Sequence, residues 1–82
     1  MKLPRDLSGN DLAQLLKHVG YEVLRQTGSH IRLRCIAKGA EHHITIPAHE
    51  HLNVGTLASI LRDVAEYLEL DRNELFRRLF DA

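Results

Sequence analysis

The chain is 82 residues long, with eleven Lys and Arg offset by eleven Asp and Glu and a single cysteine. A chain of this size buries only about 60% of the surface its unfolded form exposes, which excludes a deep substrate cavity and places any site on an open surface suited to a polymer. Zero net charge excludes a globally basic nucleic-acid binder, one cysteine excludes an intrachain disulfide, and no segment has the length or apolar run of a membrane span or signal peptide. The expectation is one cytoplasmic domain over residues 1–82, with no membrane contact. Charge is nevertheless polarised: residues 1–49 carry Lys2, Arg5, Lys17, Arg25, Arg32, Arg34 and Lys38 against Asp6, Asp11, Glu22 and Glu41, and the remainder reverses that excess.

Along the chain, Ser8 and Asp11 form a capping box, with Leu7 and Leu12 as a hydrophobic staple, so a helix starts here. Leu12, Leu15, Leu16 and Val19 make one apolar stripe that ends at Gly20, a natural residue beyond a helix C-terminus. Tyr21 to Thr27 is rich in strand formers, but Val23 and Leu24 are both apolar, which leaves its inward face ambiguous. Gly28-Ser29 makes a tight turn into a strand of strict alternation. There Ile31, Leu33 and Cys35 form the inward row, and His30, Arg32 and Arg34 share the outer face. Lys38 to Glu41 is a second turn, and His43 to Pro47 a third strand with Ile44 and Ile46 inward and His43 and Thr45 outward.

After a polar loop from Ala48 to Leu52, Asn53 or Thr56 caps a second helix whose Leu57, Ile60, Leu61, Val64 and Leu68 keep helical spacing. Asp71 and Glu74 form a further capping box with Leu70 and Leu75 as staple. The terminal helix they start carries Leu75, Phe76, Leu79 and Phe80, and either frays or completes the core. The sum is a two-layer α+β fold, α-β-β-β-α with a three-stranded antiparallel sheet and a short extra helix. Both helical stripes are satisfied if the helices cover one sheet face and leave the other open. That open face carries His30, Arg32, Arg34, His43 and Thr45.

A proton-transfer group beside fixed cations suits phosphodiester chemistry; a plain solvated outer face is the alternative. In RNA the 2′-hydroxyl already supplies the nucleophile. A site then needs a base, an acid and charge stabilisation, which an imidazole and a guanidinium provide. His42-His43 and His49-Glu50-His51 resemble metal-binding runs, but neighbouring strand residues point to opposite faces and no helical H-x-x-x-H or CxxC spacing exists. His49, just beyond the third strand, is better placed to give a proton or contact a phosphate. Cys35, in the inward row, is a packed thiol. Gly55-Thr56 is either an ordinary cap or a phosphate contact through free backbone N–H groups, and His18 faces solvent.

Gly28-Ser29-His30, then Ile44-Thr45-Ile46-Pro47-Ala48-His49, then Gly55-Thr56-Leu57-Ala58-Ser59-Ile60-Leu61-Arg62 resemble, in order and spacing, the HicA (YcfA-like) toxin family. The resemblance runs from about Ser8 to Phe76. It implies a double-stranded-RNA-binding-domain-like α-β-β-β-α fold and a toxin that cleaves mRNA independently of the ribosome; the residues themselves lead to the expectation that it needs no metal or other cofactor. It also implies a HicB-like antitoxin that binds the toxin, masks its site and often represses the operon. The family's catalytic histidine falls on His30; Ser29, Arg32, Arg34, His43 and His49 are the expected RNA contacts around it. Two positions depart from the family pattern. Ile31 stands where a second histidine or another polar residue often follows, and Val54 where a proline precedes Gly-Thr-Leu. True double-stranded-RNA binders carry lysines at the second helix N-terminus, where this chain has Leu57-Ala58-Ser59, so generic duplex binding is disfavoured. The alternatives are a non-catalytic RNA-binding or protein-interaction module on the same face, and a chain that acts only as half of a repressor complex.

Overall fold

The computed structural model of the protein describes residues 6–81. Helix α1 (Gly9–Leu16) runs into a 3₁₀ turn (Lys17–Val19), followed by strands β1 (Glu22–Thr27), β2 (His30–Cys35) and β3 (His42–Pro47), then α2 (Val54–Leu68) and α3 (Arg72–Phe80). The strands form one antiparallel sheet in the order β1-β2-β3. Three helices and an open three-stranded sheet are the α+β arrangement expected from the hydrophobic pattern.

The Ser8 hydroxyl accepts the Asp11 N–H at 3.0 Å and the Asp11 carboxylate accepts the Ser8 N–H at 3.4 Å, completing the capping box. α1 tightens into the 3₁₀ turn and ends at Gly20, whose φ of +104° is a left-handed value that side chains resist. Asn53, not Thr56, caps α2. At α3 the capping box is only half made. Asp71 accepts the Glu74 N–H at 2.7 Å, but the Glu74 carboxylate turns to Arg77 and Arg78, where two cations outcompete one backbone N–H.

Ile31, Leu33 and Cys35 of β2 and Ile44 and Ile46 of β3 are buried, against Leu12 and Leu16 of α1 and Leu57, Leu61, Val64 and Leu68 of α2. α3 completes this core: Leu75, Phe76 and Leu79 are buried, and Phe80 packs partly against them. The loop after β3 is more structural than its polarity predicts. Leu52 is buried, its N–H donates to Leu7 O at 2.8 Å, and the Gly9 N–H donates to His49 O at 2.9 Å. Glycine is required at position 9, because a Cβ there would stand 2.0 Å from the Pro47 carbonyl oxygen.

β1 behaves differently from its neighbours, with all six residues exposed. It is an edge strand, and a register irregularity lies between Val23 and Arg25. Glu22 pairs with Arg34 and Val23 with Leu33, but Arg25, not Leu24, pairs with Arg32, and Thr27 pairs with His30. One extra residue in the strand shifts its alternation by one. Glu22, Arg25 and Thr27 consequently all share the open face with His30, Arg32 and Arg34.

Candidate functional site on the open sheet face

His30 is the first residue of β2, directly after a turn in which Gly28 takes φ +55°. Its ring is exposed, with Ser29 Oγ 3.5 Å from Nδ1. Thr27 and Pro47 flank it on the adjacent strands. Ala48 N–H donates to Ser29 O at 2.7 Å, which pins the turn to the loop leaving β3. The histidine is therefore solvent-facing on a backbone fixed from both sides.

The two arginines further along β2 have separate environments. Arg34 is half-buried and ion-paired with Glu22, and its Nη1 lies 3.9 Å from Glu41. Arg32 is exposed, donates to Thr45 Oγ1 at 3.4 Å, and has no carboxylate partner among the described residues. Equal positions in an alternating row thus carry unequal free charge.

The histidines sort in the same way. His43 Nε2 lies 2.9 Å from Glu41 Oε1, and this hydrogen bond is the main cause holding the Glu41 carboxyl below its usual range, with the Arg34 charge adding to it. His43 pairs with Arg34, four residues from His30. At about 3.3 Å per strand residue, His43 is displaced about 13 Å along the sheet from His30, too far to serve the same phosphate. His49 lies at the His30 end of the sheet, exposed in the loop pinned to Ser29 and bordering an open recess with Ser8, Asn10 and His51. His42 is structural: its Nδ1 is 2.6 Å from the Tyr21 hydroxyl and its ring stacks on Tyr67 with centroids 4.7 Å apart. Burial pushes the Tyr21 phenol well above its ordinary range, so it stays protonated in its hydrogen bond with His42. His18 is exposed in the 3₁₀ turn.

No three His, Cys, Asp or Glu side chains converge as a metal-ligand set among the described residues. Cys35 is a buried free thiol. The Gly55 N–H is taken by Asn53 Oδ1 at 2.7 Å, an ordinary cap. A shallow recess beside that cap, lined by Thr45, Pro47, Asn53, Thr56 and Ser59, adjoins the strand residues opposite Arg32 and His30. One open-face cation escaped the alternation pattern. Arg25 faces Arg32 directly, and its only sequence signal was the Val23-Leu24 doublet, which breaks strict alternation as a bulge does.

The segment from the start of α1 to the last turns of α2 holds this entire face. Residues 9–65 match the HicA toxin of bacterial toxin-antitoxin systems, well over half of the 82-residue chain. The chain belongs to the HicA toxin family. Comparison with curated proteins and with solved structures gave no match. Membership makes this protein the toxin member of such a system, with an antitoxin as its counterpart. The HicA match includes Ser29, His30, Arg32, Arg34, His43 and His49 and stops before α3, whose apolar residues close the core outside it. No helix among the described residues is long and apolar enough to cross a membrane.

Proposed function

We propose that this HicA-family toxin is a metal-independent endoribonuclease acting on mRNA in the cytoplasm, with His30 as its general acid/base. The observation that carries the reading is an exposed histidine on a fixed turn, two residues from an exposed arginine that has no carboxylate partner among the described residues, on a sheet face that no described helix covers. With Ser29 beside Nδ1, Nε2 is the nitrogen offered to substrate. The RNA 2′-oxygen attacks the adjacent phosphorus as its proton passes to a base, the P–O5′ bond breaks, and the departing 5′-oxygen takes a proton from an acid. The products are a 2′,3′-cyclic phosphate and a 5′-hydroxyl. His30 performs one of these transfers, and His49, at the same end of the sheet, is the candidate for the other. Arg32 steadies the charge that grows on the phosphorane oxygens. Ser29 borders the imidazole; His43 and Arg34 belong to the ion-paired end of the face and contact RNA beyond the scissile bond. A HicB-like antitoxin silences the enzyme by covering this face.

The deciding experiment follows cleavage of a long single-stranded RNA in EDTA by wild type and by His30→Ala. A positioned histidine contributes about 10²- to 10⁴-fold to rate, and a loss in that range is expected. Equal cleavage by both proteins refutes the role of His30. RNA binding without turnover by the wild type would make the face a binding module, and activity only with added metal would replace this mechanism with a hydrolytic metal site.

A further inference from the structure

Arg25 and Arg32 occupy directly opposed positions of an antiparallel pair on the open face. Such residues have Cβ atoms about 4.5–5.5 Å apart, and like charges there are destabilising. Neither guanidinium has a carboxylate partner among the described residues, although the next outward pair along the same strands, Glu22 and Arg34, is neutralised. The register irregularity between Val23 and Arg25 creates this opposition, because unbroken alternation from Glu22 would turn Arg25 to the other face. Two uncompensated forks facing one another form a site for an anion with several acceptor oxygens.

We infer that Arg25 and Arg32 together grip one phosphate of a single-stranded RNA, making Arg25 a substrate-binding residue of the face on which His30 acts. This inference rests on the nuclease reading for the identity of the substrate. Arg32 is two residues from His30 along β2, about 7 Å at the usual strand rise, so the gripped phosphate neighbours the scissile one. The pair holds the strand in place; it transfers no proton. It recognises backbone charge only and adds no preference for particular bases.

The test measures binding of a fluorescent single-stranded RNA oligonucleotide by proteins that all carry His30→Ala, as a function of salt. Each phosphate neutralised on a single strand contributes about 0.7 to the slope of log K against log salt. Arg25→Ala and Arg32→Ala are each expected to weaken binding about five- to tenfold and to lower the slope by up to that amount, and the double variant is expected to lose little more than either single. Arg72→Ala on α3, with the same change in net charge, should leave the slope unchanged. Because Arg25→Ala relieves a repulsion, its thermal midpoint at low salt should match or exceed that of its parent. An unchanged slope, full additivity in the double variant, or a lowered midpoint with unchanged binding each overturns the inference. If the protein with His30 intact cleaves RNA yet Arg25→Ala binds like its parent, the phosphate grip falls and the nuclease reading stands. If it cleaves nothing while Arg25→Ala still weakens binding, the grip stands and the nuclease reading falls.

Discussion

Replacing Gly9 with alanine sets two effects against each other, and the structure decides between them. Gly9 opens α1, and helix propensity alone predicts a gain of up to about 1 kcal/mol for alanine. The added Cβ, however, would sit 2.0 Å from Pro47 O and 2.9 Å from Pro47 C, where ordinary contact begins at 3.4 Å. Both are backbone atoms at the end of β3, so relief requires the start of α1 to retreat by more than 1 Å. The Gly9 N–H to His49 O bond at 2.9 Å breaks first, and the Leu52 N–H to Leu7 O bond at 2.8 Å is stretched. Overpacking of this kind costs about 1–3 kcal/mol, and a lost backbone hydrogen bond about 1 kcal/mol more. Net destabilisation of about 1–3 kcal/mol is expected after the propensity gain is subtracted. A chain of this length has about 4–12 kcal/mol in total at about 0.05–0.15 kcal/mol per residue. Urea unfolding followed by far-UV circular dichroism should show a lower midpoint with an unchanged slope. A midpoint equal to or above wild type would refute the reasoning, since it would mean that propensity outweighs the contact between α1 and β3.

Two further substitutions probe the elements around the site. Glu41 is depressed below its ordinary value of 4.5, chiefly by the hydrogen bond from His43. Its favourable contribution is thus fully present above pH 4.5 and fades as pH falls through the lower folded value. In His43→Ala the Glu41 carboxyl midpoint, followed by carbon-detected NMR titration, should rise toward 4.5; an unmoved midpoint would mean that Arg34 alone sets it. The Tyr67 hydroxyl accepts the Lys38 N–H at 3.1 Å and lies 3.3 Å from Cys35 O, tying the β2–β3 turn to α2. Tyr67→Phe should cost about 1–2 kcal/mol and speed hydrogen exchange at Lys38, and an unchanged exchange rate there would show that the turn holds itself.

The parts of the fold legible in the sequence were those with a local cause. Ser8 with Asp11, Gly20 after an apolar stripe, and the Ile31-Leu33-Cys35 row each act within one element, and the structure contains each of them. Contacts between segments distant in sequence were not legible. Leu52 is an apolar residue in a polar loop that joins the core, and its N–H donates to Leu7 O, forty-five residues earlier in the chain. The half-made capping box at Asp71 shows the same limit, since the spacing to Glu74 is right but Arg77 and Arg78 compete for the carboxylate. At the candidate site, alternation gave the outer face of β2 correctly and treated Arg32 and Arg34 as equals. What separates them is cross-strand register, which the sequence of β2 alone does not contain.

That register also reconciles zero net charge with the proposed RNA-cleaving role. Along the outer face, Glu22, Arg34, Glu41 and His43 are joined by ion pairs and hydrogen bonds at one end of β2, and exposed pairs of this kind leave little field beyond their own contacts. At the other end Arg25, Arg32 and His30 stand without carboxylates among the described residues. A polyanion approaching the sheet is drawn to the second end, where the imidazole is. Asp63, Glu66, Glu69, Asp71 and Glu74 lie on α2, α3 and the segment between them, off the strands that carry Arg25, Arg32 and His30. Total charge averages these regions away, whereas a bound RNA strand samples only the one it touches. The bulge in β1 sharpens the contrast: by turning Arg25 outward it opposes two cations, an arrangement that like charges disfavour in a sheet and that the inferred phosphate contact would relieve.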